Sequence, residues 1–173
     1  MIIVYTGNGK GKTTAAIGAV IRSVGWKKKV VIVQFIKHES WPSGERTILR
    51  NLGVEVFVMG KSWVGIMGDK KELNEHKNAA KDAVEKVVAT LNSAKFDLIV
   101  CDEILGALHS GLILKSDVLS ILNTLYKMQN TDLIMTGQNA PKWLIEKSDL
   151  VTEMKKIKHP YDNGLLAKKG IDF

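Results

Sequence analysis

Short, nearly unbroken apolar runs recur along the chain, separated by longer segments in which apolar residues return every three or four positions. The runs are Ile2–Tyr5, Val30–Phe35, Val54–Val58, Leu98–Cys101 and Leu133–Met135. Runs of this length with little polar alternation predict strands covered on both faces, as in a parallel sheet. The segments between them read as helices. Thr13–Val24 stops at Gly25 and Glu45–Leu52 is followed by Gly53, residues suited to closing a helix. Glu72–Leu91 sets Leu73, Ala80, Val84, Val87, Val88 and Leu91 on one face, with Asp69 and Glu72 spaced like a capping box. Asp117–Met128 presents Val118, Leu119, Leu122 and Leu125, and Pro141–Lys147 opens with proline at a tolerated first-turn position.

Alternating strands and helices predict an α/β fold, a P-loop NTPase-like three-layer α/β/α arrangement around a mostly parallel sheet. The 173 residues fit one domain spanning the whole chain. Ligands of such sheets gather at the C-terminal ends of the strands. The segments expected to carry function are therefore Thr6–Lys12, Ile36–Gly44, Met59–Gly68, Asp102–Ser110 and Thr136–Ala140.

Composition narrows the setting. Apolar content is 45% and charged content 25%, ordinary for a water-soluble globular protein. No apolar run approaches the ~20 residues of a membrane helix, and Met1-Ile-Ile-Val4 is too short for a signal-peptide core, with no basic region before it. The single cysteine, Cys101, rules out an intrachain disulfide and reads as a small buried residue at a strand end. These features predict a cytoplasmic protein without a membrane partner. The net charge of +7 favours anionic ligands. Its densest run, Lys27-Lys28-Lys29, adjoins only Trp26, so stacking residues are missing and no nucleic-acid partner is expected.

The strongest local signal is Thr6-Gly-Asn-Gly-Lys-Gly-Lys-Thr-Thr14, placed between a strand and a helix. That context is what a phosphate-binding loop requires. Glycines Gly7, Gly9 and Gly11 let the backbone wrap closely enough for its N–H groups to meet phosphate oxygens beside a helix N-terminus. Lys12 is placed to neutralise the outer phosphates, and the Thr13 hydroxyl to hold Mg²⁺. Thr6 stands where the motif usually begins with glycine, with Gly7 next. Asp102 and Glu103 end an apolar strand, where P-loop proteins supply an acid to the Mg²⁺ shell, and where acids also favour a helix start. The motif specifies MgATP and leaves the reaction open.

Other polar residues narrow that reaction. His38, His76, His109 and His159 have no metal-ligand spacing, and no serine sits in a nucleophile elbow. Trp41 and Trp63 fall in post-strand segments, either to pave a pocket for a flat ligand or to pack within their own loops.

Several segments together resemble the P-loop ATP:corrinoid adenosyltransferases. They are Thr6–Ala15, Val33-Gln-Phe-Ile-Lys37 with Trp41-Pro-Ser-Gly-Glu45, Asp102-Glu-Ile104, and Thr136-Gly-Gln-Asn-Ala-Pro141. The last stretch runs from Asp149-Leu-Val-Thr-Glu-Met154 through Lys158-His-Pro-Tyr161 to Gly170-Ile-Asp-Phe173. The resemblance implies attack of a cobalt(I) corrinoid on the ribose C5′ of ATP, with triphosphate leaving. It further implies that Asn8 and Lys10 also line the phosphates, beside Thr14 at the end of the phosphate loop, that ATP lies reversed relative to ordinary P-loop enzymes, and that the protein is a homodimer served by a reducing flavoprotein. A metal-centred nucleophile needs no general base, and none is evident.

The chain departs from the family pattern in places. It opens on the first strand, where family members usually carry a preceding helix. Lys61 stands where a phenylalanine usually precedes the tryptophan Trp63 by two residues, the segment Val64–Glu75 differs, and Gln138 replaces a common arginine. On the same scaffold, a P-loop ATPase, a small-molecule kinase or a non-catalytic ATP- or corrinoid-binding module remain alternatives.

Overall fold

A computed structural model of the chain describes residues 1–61 and 71–173. Among them, the apolar runs form strands β1 (Ile2–Thr6), β2 (Val30–Gln34), β3 (Glu55–Val58), β4 (Leu98–Asp102) and β5 (Asp132–Thr136). A sixth strand, β6 (Leu150–Glu153), was not among the expected ones. The sheet order is β3-β2-β4-β5-β1-β6, and every neighbouring pair is parallel. The α/β expectation holds.

Among the described residues six helices lie between the strands: α1 (Lys12–Gly25), α2 (Gly44–Asn51), α3 (Leu73–Asn92), α4 (Ile104–His109), α5 (Lys115–Leu125) and α6 (Lys142–Ile145). Successive side chains of a strand point to opposite faces, and the two faces carry different helices. Val30 and Ile32 of β2 join Leu98 and Val100 of β4 in a core closed by Ala16 and Val20 of α1 and Leu49 of α2. Val31, Val33, Ile99 and Cys101 face the other way, onto α3, α4, α5 and α6. The chain moves toward β3 under α1 and α2, then returns across the sheet under the remaining helices. Opposite directions on opposite faces keep every crossover the same hand.

Helix ends differ from expectation for local reasons. α5 starts at Lys115, ahead of Asp117, because the Asp117 carboxylate accepts from the Leu114 N–H at 2.7 Å and so caps from inside the first turn. It ends at Leu125, and the N–H groups of Tyr126 and Met128 fold back onto Leu122 and Leu125. The α3 capping pair is Glu72 and Glu75, with Glu75 accepting from the Glu72 N–H at 3.2 Å. Asp69 of the expected pair lies outside the described residues. Pro141–Lys147 yields only the four residues of α6.

Four polar residues end four adjacent strands on one rim of the sheet: Gln34, Asp102, Thr136 and Thr6, on β2, β4, β5 and β1. All are buried. Buried polar groups need partners, and theirs build the site.

Candidate active site

The loop from β1 to α1 is shaped by glycines pressed against the chain that leaves β6. Gly7 and Gly11 hold φ of 102° and 115°, which side-chain-bearing residues rarely adopt. A Cβ on Gly9 would lie 2.7 Å from the Met154 carbonyl oxygen. The contact is closed by hydrogen bonds: Met154 N–H to the Thr6 carbonyl (2.8 Å), Gly9 N–H to the Met154 carbonyl (2.7 Å), and Lys156 N–H to Asn8 Oδ1 (3.0 Å). Lys12 folds back over the loop, its Nζ donating to the Gly9 carbonyl at 2.8 Å. Burial lowers its pKa, while Glu103 and Asp102 act to raise it.

Asp102 is the hub of the rim. Its Oδ1 accepts from Thr13 Oγ1 and from Thr136 Oγ1, both at 2.8 Å. Its Oδ2 accepts from Gln34 Nε2 at 3.1 Å and lies 3.3 Å from Lys37 Nζ. Three strand ends and the first turn of α1 therefore converge on one carboxylate that is 1% exposed.

Glu103 follows in the left-handed region, φ 61°, and its N–H donates to Thr136 Oγ1 at 2.9 Å. That backbone turn sends its side chain beside Gly106, where a Cβ would stand 2.9 Å from Glu103 Oε2. Burial, then the charge of Asp102, pushes the Glu103 carboxyl up to about 7, against the pull of Lys12 and Lys37.

A cleft of ≈ 590 Å³ opens over these residues. Its lining joins Lys10, Gly11, Lys12, Thr13, Thr14 and Glu103 of the expected site to Lys37, Glu45 and the C-terminal residues Gly170–Phe173. Asp102 sits beneath, beside a small void that it shares with Thr13 and Gln34. Thr6, Gly7 and Asn8 open instead onto a second cleft of ≈ 690 Å³, shared with Asn139, Ala140 and Lys155. Gly9 is held between the two by Met154 and Lys12. Trp41 is half-buried in the β2–α2 connection and is not among the residues that line either cleft. Trp63 lies outside the described residues.

Sequence reasoning passed over Arg46, which is 4% exposed. Its Nε donates to Gln34 Oε1 at 2.8 Å, and its Nη1 reaches the carbonyls of His38 (3.1 Å), Trp41 (3.2 Å) and Glu39 (3.4 Å). A guanidinium only donates and a carboxylate only accepts, so Gln34 is oriented between Arg46 and Asp102. Burial lowers the Arg46 pKa, opposed first by Glu39 and then by Glu45. Lys37 was also missed; its Nζ stands 3.6 Å from Glu45. An arginine in the first turn of a short helix looks like a surface residue. Only the register of α2 against β2 sends it inward.

The oxygen donors of Thr13, Asp102 and Glu103 suit a hard divalent cation, which would favour the ionised form of Glu103 that burial and then Asp102 disfavour. Among the described residues no group of three or more acidic, His or Cys side chains forms a metal cage, so Mg²⁺ here would be shared with phosphate and water.

The sequence profile of the family described as ATP:corrinoid adenosyltransferase BtuR/CobO/CobP matches residues 1–173. The corrinoid adenosyltransferase of Escherichia coli K12 is 36% identical over 173 residues, covering 100% of this chain and 85% of that protein. The corrinoid adenosyltransferase CobA of Salmonella typhimurium is 38% identical over 176 residues, with the same coverage. That of Pseudomonas aeruginosa is 35% identical, covering 100% of this chain and 83% of the relative. With a strand-to-helix glycine loop, a buried strand-end carboxylate hydrogen-bonded to its threonine, and end-to-end similarity, the chain belongs to the ATP:corrinoid adenosyltransferase family.

Proposed function

We propose that this protein transfers the 5′-deoxyadenosyl group of MgATP to the cobalt(I) of a corrinoid and releases triphosphate. The observation that carries it is the full-length family match, 1–173, on a chain whose Lys10–Thr14 segment shares a cleft with Glu103. In the reaction the cobalt electron pair forms the Co–C5′ bond as the C5′–O bond breaks, and that bonding pair leaves with the triphosphate oxygen. No proton has to be removed from the nucleophile.

The protein's task is to hold a highly charged leaving group and aim C5′. Lys12, Lys10 and the N–H groups of Gly11, Thr13 and Thr14 are read as gripping the phosphates. Gly7, Gly9 and Asn8 shape the phosphate loop, and Thr6 anchors it to Ala140, whose N–H donates to Thr6 Oγ1 at 3.1 Å. Thr13, Asp102 and Glu103 would hold Mg²⁺, which supplies charge neutralisation at the phosphates when bound. On binding, Lys12 gives up the Gly9 carbonyl for a phosphate oxygen. Trp63 is assigned to the corrinoid side by the family resemblance, and Trp41 by its place in a post-strand segment.

Cytoplasmic location is proposed on the buried, unpaired Cys101, and no helix among the described residues is long and apolar enough to cross a membrane. A homodimer is supported by exposed Leu150 and Val151 on the open edge of β6, and a reducing flavoprotein by the need for cobalt(I). The kinase and ATPase alternatives lack the family match.

The test is anaerobic incubation with ATP, Mg²⁺ and chemically reduced cobalamin, following the spectrum and the released anion. Adenosylated product with intact triphosphate is expected. Unmodified cobalamin with bound ATP, or release of phosphate, overturns the reading. Lys12→Ala should weaken ATP binding by about tenfold or more.

A further inference from the structure

We propose that Arg46 is a positioning residue for the transfer reaction, holding Lys37 over the phosphate end of the cleft. The inference rests on the reading of that cleft as the ATP site. Lys37 and Glu45 both line it, and they stand at the two ends of the connection between β2 and α2. Residues 38–43 between them form no helix or strand, so the connection takes its shape from what it is tied to.

Arg46 ties it from within. One nitrogen, Nη1, gathers the carbonyls of His38, Glu39 and Trp41, and Nε takes Gln34. The adjoining void, lined by Arg46, Gln34 and Asp102, is ≈ 10 Å³, at the lower limit for one water, so the guanidinium fills its site with little room left beside it. The second face of the tie runs through Gln34 to Asp102 and from there to Thr13. One side chain thus links the wall bearing Lys37 to Thr13 in the first turn of α1.

Lys37 is the group that profits. Its Nζ lies 3.3 Å from Asp102 Oδ2 and 3.6 Å from Glu45 Oε1, and it faces the same cleft as Lys12. A second ammonium there meets the charge that gathers on triphosphate as the C5′–O bond breaks. Lysine cannot replace Arg46, because an ammonium is a single point and cannot serve Gln34 and three carbonyls in a fixed fork.

The test uses the full chain, with binding of inorganic tripolyphosphate and Mg²⁺ by calorimetry beside adenosyl transfer to reduced cobalamin. Lys37→Met is expected to weaken tripolyphosphate and to lower kcat, each by about tenfold. Arg46→Lys should reproduce both losses while the KM for corrinoid stays within about twofold, and the double variant should be no worse than the poorer single one. Should Arg46→Lys fail to fold, Gln34→Met cuts the same tie from the other side and should also weaken tripolyphosphate. Wild-type tripolyphosphate binding by either Lys37→Met or Arg46→Lys overturns the proposal, and so do losses that multiply in the double variant. A Lys12→Ala protein that still binds tripolyphosphate normally overturns the reading of the cleft itself.

Discussion

Thr13 and Asp102 meet through a 2.8 Å hydrogen bond, Oγ1 to Oδ1, across 89 positions of sequence. The bond joins the first turn of α1 to the end of β4, so the fold itself aligns the loop that would grip phosphate with the acid that would face magnesium. Such alignment lowers the reorganisation needed at the moment of reaction.

Asp102→Asn tests that alignment. The substitution keeps the shape but turns an acceptor into a donor toward Gln34 or Thr13 and leaves the Lys37 ammonium with Glu45 as its carboxylate partner. A loss of about 2–3 kcal/mol in stability is expected by urea denaturation, with adenosyl transfer down by about a hundredfold and no recovery at high magnesium. Near-native activity would mean that the carboxylate is only a structural tie.

Glu103 predicts a pH signature for the magnesium-free protein. Its carboxyl is raised from 4.5 to about 7, mainly by burial and then by Asp102. Between those values the folded state keeps a proton that the unfolded chain has lost, so stability falls as pH rises. The contribution is fully present below about pH 4.5 and lost once pH passes through about 7, with a size on the order of 3 kcal/mol. Glu103→Gln should remove that slope. Urea denaturation of both proteins at roughly pH 5 and 8 checks it, and identical slopes would contradict the burial of this group.

The sheet was largely legible because β2, β4 and β5 are buried on both faces and read as unbroken apolar runs. β6 was not, since Leu150–Glu153 pairs only with β1 and leaves all four residues exposed. Its signal, the β-branched pair Val151-Thr152, is too short to stand out. The glycine loop and the acids of β4 announced themselves by local spacing. Gln34, Lys37, Arg46 and Thr136 did not, because their roles arise where strand ends meet, and no local pattern encodes which buried polar residue faces which. The division of Thr6–Asn8 from Lys10–Thr14 between two clefts depends equally on Met154, brought in by a strand that the pattern hid.

Gly106 and Gly137 separate crowding from strain. An alanine Cβ at Gly106 would meet only side-chain ends, Glu103 Oε2 and Ile36 Cδ1, each at 2.9 Å. The fold should survive Gly106→Ala with a loss of about 1 kcal/mol, while the displaced carboxylate lowers transfer. Gly137 holds φ 137°, and its Cβ would stand 2.7 Å from the Gly106 backbone nitrogen, which cannot swing aside. Gly137→Ala should cost about 2–4 kcal/mol. Thermal melts and transfer rates of both variants decide it; a larger stability loss at Gly106 than at Gly137 would refute this packing.

The tail of the chain supplies the last prediction. Lys10 Nζ lies 2.6 Å from Asp172 Oδ1, and the Lys168 N–H holds the other carboxylate oxygen at 2.7 Å. Those bonds keep the Asp172 carboxyl below the usual carboxylate range, so the group is ionised at neutral pH. Asp172 and its neighbours line the cleft beside Thr14, which puts a carboxylate on a lysine read as a phosphate ligand. A nucleotide therefore has to displace it. Asp172→Asn should tighten MgATP binding by about two- to fivefold at low ionic strength, the modest size expected of an exposed pair. The gain should shrink as salt is raised to roughly 0.5 M, where exposed charges are screened. In a Lys10→Ala background it should vanish, because no cation is left to contest. Calorimetric titrations of the four proteins at two salt concentrations make the comparison, and an Asp172→Asn gain that persists without Lys10 would show that the tail acts by some route other than competition for that lysine.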